Sequence, residues 1–104
     1  MLTMEQANRL EALRRRASRY EVVLTNGEAA YLVGYTPRVS RMGLLNVLRD
    51  KGEAVVRVAG LSDSDVMAWP KGGRSADFGN GWLARFTGRT ERQAILDGEL
   101  PKIA

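Results

Sequence analysis

Residues 20–35 have the sequence YEVVLTNGEAAYLVGY, and this stretch predicts a β-hairpin. Its first half, Tyr20–Thr25, is rich in the β-branched and aromatic residues that strands favour. The next two residues, Asn26-Gly27, favour a two-residue type I′ turn, which needs positive φ at both central positions. The return strand is predicted over Glu28–Tyr35. The hairpin therefore supplies the first two strands of a predicted antiparallel sheet.

A helix is predicted before the hairpin, from Thr3 to about Ser18. Thr3 and Gln6 have the spacing of a capping box, in which each side chain accepts a backbone hydrogen bond from the other residue. Apolar residues then recur every three or four positions, as on one face of a helix. They are Leu10, Leu13, Ala17 and Tyr20.

A second helix is predicted directly after the hairpin. Thr36-Pro37 would start it, as an N-cap followed by proline at the first helical position. It would run to about Lys51, where Gly52 is placed to end it in a left-handed conformation.

The remaining half of the chain predicts three short strands and a final helix. The strands are predicted over residues 53–59, 66–69 and 82–87, with Gly60 ending the first of them and a turn over residues 62–65. Thr90 and Gln93 form a second capping box, so a helix is predicted through Asp97. Residues 99–104 are predicted to be a non-helical tail.

The predicted element order, α-β-β-α-β-β-β-α, indicates an α+β fold. We expect a mostly antiparallel sheet of four to five strands, covered by helices on one side. Two main helices and a short C-terminal helix complete it. A chain of 104 residues is long enough for one domain, so residues 1–104 are expected to form a single domain.

The chain contains no histidine and no cysteine. It therefore lacks the side chain best suited to proton transfer near neutral pH and the strongest thiol nucleophile. It also lacks the usual ligands of structural zinc and iron–sulfur sites. We therefore expect no catalytic residue, no metal and no cofactor.

The charge of the chain is basic, with a formal net charge of +4. Thirteen arginines and three lysines carry the positive charge, and five of the arginines fall in residues 1–20 against two glutamates, an excess of +3. On the predicted first helix Arg15, Arg16 and Arg19 would project from the face opposite the apolar one. They are the first predicted partner-binding residues; the alternatives are a solvated helix face and a codon bias of a GC-rich genome.

A glycine-rich loop is predicted over residues 71–81. It lacks the glycine and lysine spacing of a phosphate-binding loop, so a mobile surface loop is predicted. Loops of this length commonly bind something, and this one combines charge with aromatic surface in Lys71, Arg74 and Phe78. These three residues complete the predicted partner-binding set.

The hairpin and the segment after it resemble half of the GIY-YIG nuclease motif. The resemblance rests on Tyr20 and Tyr31, eleven residues apart, and on the sequence GYTPRVSR of residues 34–41 that enters a helix. It implies that both tyrosines lie near a scissile phosphate and that a helical arginine stabilises its charge. Met42 stands where the family has that arginine, with Arg41 one residue earlier.

These observations favour a small, non-enzymatic binding protein that regulates or inhibits a partner with an acidic protein surface, or a nucleoprotein complex. Such Arg-rich proteins are frequent in phages and mobile elements, so an inhibitor of a host defence system is the specific expectation. Direct nucleic-acid binding and a degenerate GIY-YIG-like nuclease are the alternatives. No apolar run approaches the length of a membrane span and the N-terminus has no signal-peptide core, so we expect a cytoplasmic protein with no membrane partner.

Overall fold

A computed structural model describes residues 1–62 and 75–103 of the protein. Eight elements follow one another in these residues: α1 (Met4–Leu13), β1 (Tyr20–Thr25), β2 (Ala30–Thr36), α2 (Arg41–Asp50), α3 (Gly52–Ala59), β3 (Ser75–Asp77), β4 (Leu83–Thr90) and α4 (Glu91–Asp97). The strands form one antiparallel sheet in the order β2-β1-β4-β3. The predicted α+β class is confirmed. The predicted strand over residues 66–69 lies outside the described residues, as does most of the predicted turn.

The predicted hairpin is confirmed, but its turn is longer than a type I′ turn. Thr25 pairs with Ala30, which leaves a four-residue loop. The Asn26 side-chain oxygen accepts hydrogen bonds from the backbone amides of Glu28, at 3.0 Å, and Ala29, at 2.9 Å. Within the loop only Gly27 has positive φ, at 91°. The predicted two-residue turn is therefore wrong. The Asn26 side chain stabilises a wider turn by accepting hydrogen bonds from the loop amides.

Helices cover both faces of the sheet, and not one face as predicted. Val22 and Leu24 belong to the core that α2 and α3 close. Alternation along β1 directs Glu21 and Val23 to the opposite face. There α4 packs on β1 and β4, and α1 packs on α4. Val23 is consequently buried as fully as its neighbours.

The first helix is shorter than predicted, although its capping box is confirmed. Thr3 and Gln6 exchange the two expected hydrogen bonds, and α1 then ends at Leu13. Tyr20 lies in β1, paired with Thr36 and Thr90, and not on a helical face. Sheet pairing on both sides of Tyr20 therefore outweighs the apolar spacing that predicted a longer helix.

The second helix begins later than predicted. Ser40 is its N-cap and accepts a hydrogen bond from the Gly43 amide at 3.1 Å. Thr36 is still in β2. Gly43 allows the chain to pass closely here, since a Cβ at this position would lie 2.2 Å from the Arg38 carbonyl oxygen.

Two predictions around residues 52–60 are wrong. Gly52 begins α3 and does not end α2 in a left-handed conformation. Residues 53–59 are helical and not a strand, because their buried side chains have helical spacing: Ala54, Val55 and Ala59. The valines of this segment favour strands by propensity, and packing of one helical face overrides that preference. Gly60 does end the element, with φ of 67°.

The C-terminal elements differ from prediction mainly in length. β3 forms inside the predicted loop, and β4 continues to Thr90, three residues beyond the predicted end. The capping box of Thr90 and Gln93 is confirmed at the start of α4. After α4 the tail runs beside β2, where Ile103 is buried. No helix within residues 1–62 and 75–103 combines the length and the apolar character needed to cross a bilayer.

Candidate interaction surface

The arginines predicted to form a helical binding face lie after α1, and two of them, Arg16 and Arg19, lie within ion-pair distance of the same carboxylate. The Arg19 guanidinium donates two hydrogen bonds to the Glu91 carboxylate, from Nε at 2.8 Å and from Nη2 at 2.7 Å. Arg16 Nη2 lies 3.6 Å from the same carboxylate. Glu91 is buried, and its backbone N–H also donates to the Arg19 carbonyl oxygen at 2.8 Å. This contact joins the start of β1 to the start of α4.

A second ion pair holds α1 against the tail. Arg9 donates a hydrogen bond to Glu99, which also accepts one from the Tyr35 hydroxyl at 3.4 Å. The hydrogen bond from Arg9 lowers the pKa of Glu99 below its ordinary value. Burial raises the pKa of the Tyr35 phenol, and the surrounding carboxylates raise it further. Arg19 lies over the Tyr35 ring at 5.7 Å, so the two ion pairs meet at this tyrosine.

A third ion pair is buried beneath them. Glu21 is fully buried in β1 and receives hydrogen bonds from Arg89 Nε at 3.0 Å and Nη2 at 2.9 Å. The Thr87 hydroxyl donates to the same carboxylate at 2.9 Å. The bond to Glu21 raises the pKa of Arg89 above its ordinary value. Charge-assisted, two-pronged bonds of this kind fix geometry.

These residues form what we call the paired cluster: Arg9, Arg16, Arg19, Arg89, Glu21, Glu91 and Glu99. Four cations face three carboxylates, so most of the positive charge is compensated. The cluster connects α1, β1, β4, α4 and the tail. Its ion pairs therefore hold these elements together, and one positive charge of the cluster is left uncompensated.

A different basic surface lies on α2 and on the loop that enters it. Four exposed cations lie at the two ends of α2: Arg38 and Arg41 at its start, and Arg49 and Lys51 at its end. None of the four forms an ion pair in the part of the chain that the structure describes. Val39 and Met42, which neighbour Arg38 and Arg41 in the sequence, have 37% and 61% of their surface exposed. We call these six residues the α2 face.

At the start of α2, a cation of the α2 face lies at the positive end of the helix dipole. Arg41 is the first residue of α2, and the first turn contains no acidic residue. The N-terminus of a helix carries a partial positive charge, so a cation there is unfavourable by a few tenths of a kcal/mol to about 1 kcal/mol. Among the described residues Arg41 forms no ion pair that would offset this cost.

Of the other predicted binding residues, Arg15 is exposed and forms no ion pair among the described residues. Phe78 is half-buried against the core, and its N–H donates to the Trp82 carbonyl oxygen at 3.1 Å. Lys71 and Arg74 lie outside the described residues. Of the four predicted residues that the structure describes, Arg15, Arg16 and Arg19 lie between α1 and β1, whereas Phe78 directly follows β3.

The two tyrosines of the nuclease-like motif lie at different points of the hairpin. Tyr20 pairs with Thr36 at the end of β2, whereas Tyr31 lies near its start. Five residues along a strand correspond to about 16 Å. Tyr31 packs against the core and stacks with Trp82, with ring centroids 6.3 Å apart.

Sequence reasoning overlooked the α2 face, although the sequence contains a signal for it. Residues 38–51 contain four cations and one acid, Asp50, an excess of +3. This equals the excess in residues 1–20. Comparison with protein-family models, curated proteins and solved structures finds no match to this chain.

Proposed function

We propose that this protein is a non-enzymatic binding protein that regulates or inhibits a partner by contacting an acidic surface of it through the α2 face. The observation that carries the proposal is the set of four exposed, unpaired cations on and beside α2. Complementary charge steers such encounters and selects partners of opposite sign.

The composition of the α2 face favours a protein partner over a nucleic acid. Arginine and methionine are enriched in the centres of protein interfaces, and here Val39 and Met42 are exposed between the cations. A surface for single-stranded nucleic acid would be expected to add aromatic side chains on which bases stack. The α2 face has none.

Charge reversal with a matched control tests the proposal. One variant carries Arg38→Glu, Arg41→Glu and Arg49→Glu. The control carries Arg15→Glu, Arg85→Glu and Arg92→Glu, which are equally exposed, equally unpaired in the described chain, and change the net charge by the same amount. We expect polyglutamate of about 50 residues to bind the first variant at least tenfold more weakly, and the control within about threefold of the original protein. Equal losses in both variants would show a response to net charge alone and would overturn the α2 face.

Direct nucleic-acid binding is the second candidate, favoured by the same unpaired cations. Capture of partners from a host lysate with and without nuclease separates the two. A nuclease-resistant partner that the α2 variant fails to capture supports protein binding. Loss of all captured material after nuclease treatment, with affinity for duplex DNA that falls steeply with salt, supports the second candidate.

Absence of nuclease activity is also part of the proposal. We expect no cleavage of DNA or RNA in the presence of Mg²⁺ or Mn²⁺. Cleavage that Tyr31→Phe abolishes would replace the proposal by the nuclease alternative.

A further inference from the structure

One edge of the sheet is only partly covered. β2 is an edge strand, and the tail runs parallel to it at a single point. There the Leu32 N–H donates to the Pro101 carbonyl oxygen at 2.8 Å, and the Ile103 N–H donates to the Leu32 carbonyl oxygen at 3.0 Å. This edge of β2 thus already accepts an added extended segment. No such bond from outside the sheet reaches residues 34–36 in the described chain.

A groove of about 510 Å³ follows the open part of this edge. Gly34, Tyr35 and Thr36 form one wall, and α2 forms the other with Asn46 and Lys51. The helix runs back along the strand, because Thr36 lies beside Gly43 while Gly34 lies beside Val47. The groove is therefore long, narrow and parallel to β2, a shape that suits an extended chain.

The backbone in the groove presents hydrogen-bonding groups. Pairs in an antiparallel ladder alternate, and Leu32 directs its N–H and carbonyl away from β1. The ladder shifts by one residue at the bulge opposite Val22, so the next outward position is Tyr35. In addition, Thr36 is buried, and its hydroxyl has no hydrogen-bond partner in the described chain.

Positive charge at the two ends of the groove would favour extended segments that are acidic. Lys51 lies at the end nearer the tail, and Arg38 follows Thr36-Pro37 at the other end; both are exposed and without an ion pair in the described residues. Asp50 and Arg19 also line the groove. Arg19 is paired with Glu91. The remaining charges at the groove and its ends are two cations, Lys51 and Arg38, and one carboxylate, Asp50.

We propose that the open edge of β2, residues 34–36, binds an extended acidic segment of a protein partner as an added strand. Main-chain hydrogen bonds would supply affinity, and acidic side chains toward Lys51 and Arg38 would supply selectivity. The inference rests on the proposed function in one respect, which is that the partner is a protein.

A peptide of eight alternating Glu and Val residues, labelled with fluorescein, is a suitable probe. Asn46→Trp places a bulky side chain in the groove, and Asn8→Trp makes the same change on the exposed surface of α1. We expect fluorescence anisotropy to show at least fivefold weaker binding to the Asn46 variant and binding within about twofold to the Asn8 variant. A peptide with proline at the two central Val positions cannot add a full strand and should bind at least fivefold more weakly.

Hydrogen exchange in the unmodified protein provides a measurement that needs no variant. The amide of Tyr35 should become protected when the peptide is added, while the amides of α1 should not change. Binding that Asn46→Trp and the proline peptide leave unchanged, but that reversal of Arg38, Arg41 and Arg49 removes, would overturn the strand site and leave the α2 face intact. No peptide binding up to about 1 mM would also overturn the strand site, while the polyglutamate experiment judges the α2 face separately.

Discussion

Residues 1–20 and residues 38–51 carry the same excess of +3 in the sequence, and the folded protein treats them in opposite ways. In the first region the fold brings carboxylates from distant parts of the chain to three of the five arginines. In the second region no described carboxylate approaches the four cations within ion-pair distance. Charge that is counted along a chain is therefore not the charge that a partner meets. The difference is set by contacts such as Arg19 to Glu91, which join residues 72 positions apart.

Within the paired cluster, the buried pair gives the largest expected effect on stability. Arg89→Met leaves the Glu21 carboxylate buried without its cation, which should lower the free energy of unfolding by about 3 kcal/mol. Arg85→Met, on the same strand but exposed, should change it by no more than about 0.5 kcal/mol. Urea unfolding measures both.

Adding Glu21→Gln to Arg89→Met removes the stranded charge, so the double variant should be more stable than Arg89→Met alone. Equal effects of Arg89→Met and Arg85→Met would contradict a structural role of the buried pair.

The Arg9–Glu99 pair predicts a dependence of stability on pH. The folded protein holds the pKa of Glu99 below the ordinary 4.5, chiefly through the hydrogen bond from Arg9. The unfolded chain therefore binds more protons at this group, so its contribution is complete above about pH 4.5 and declines as the pH falls through the folded pKa. Glu99→Gln should be less stable than the original protein at about pH 6, and the gap should narrow at about pH 3. A gap that widens on acidification would show that the assignment is wrong.

Replacing an arginine of the α2 face by glutamate should change the free energy of unfolding in opposite directions at the two ends of α2. Arg41→Glu replaces a cation at the N-terminus of α2 and should raise the free energy of unfolding by about 0.3–1 kcal/mol. Arg49→Glu replaces a cation in the last turn, where it is favourable, and should lower the free energy by a similar amount. Both should weaken polyglutamate binding. Destabilisation by Arg41→Glu would indicate that Arg41 stabilises the fold, which would contradict its assignment to partner binding.

Some features of the fold that depend only on neighbouring residues were predicted correctly from the sequence, whereas the turn at Asn26-Gly27 and the start of α2 were not. The capping boxes at Thr3 and Thr90 were located to the residue, since each needs only a pair three positions apart. The hairpin strands were also predicted from local sequence, because β-prone residues stand on both sides of the turn. Residues 53–59 were mistaken for a strand because valine propensity outweighed the helical spacing of Ala54, Val55 and Ala59, although that spacing is visible in the sequence.

The site was less predictable than the fold. Arg16 and Arg19 were assigned to a partner because they share a face of the predicted helix and contribute to the local charge excess. Glu91, which does so, could be identified only from the tertiary structure. The cations of the α2 face were visible in the sequence, but whether they remain unpaired is again a property of the fold.

The position of β1 between β2 and β4 has a consequence for synthesis of the chain. β1 can pair with β2 as soon as Thr36 has been made, but its other edge stays open until β4 is complete at Thr90, 54 residues later. At typical elongation rates this takes roughly 3–10 s, during which Val22, Val23 and Leu24 lie in a hairpin that is not yet closed on either face. A nascent hairpin of this kind is exposed to pairing with other chains. We therefore expect the ribosome-bound protein to be more prone to aggregate than the finished one, and slower translation of residues 37–90 to lower its soluble yield.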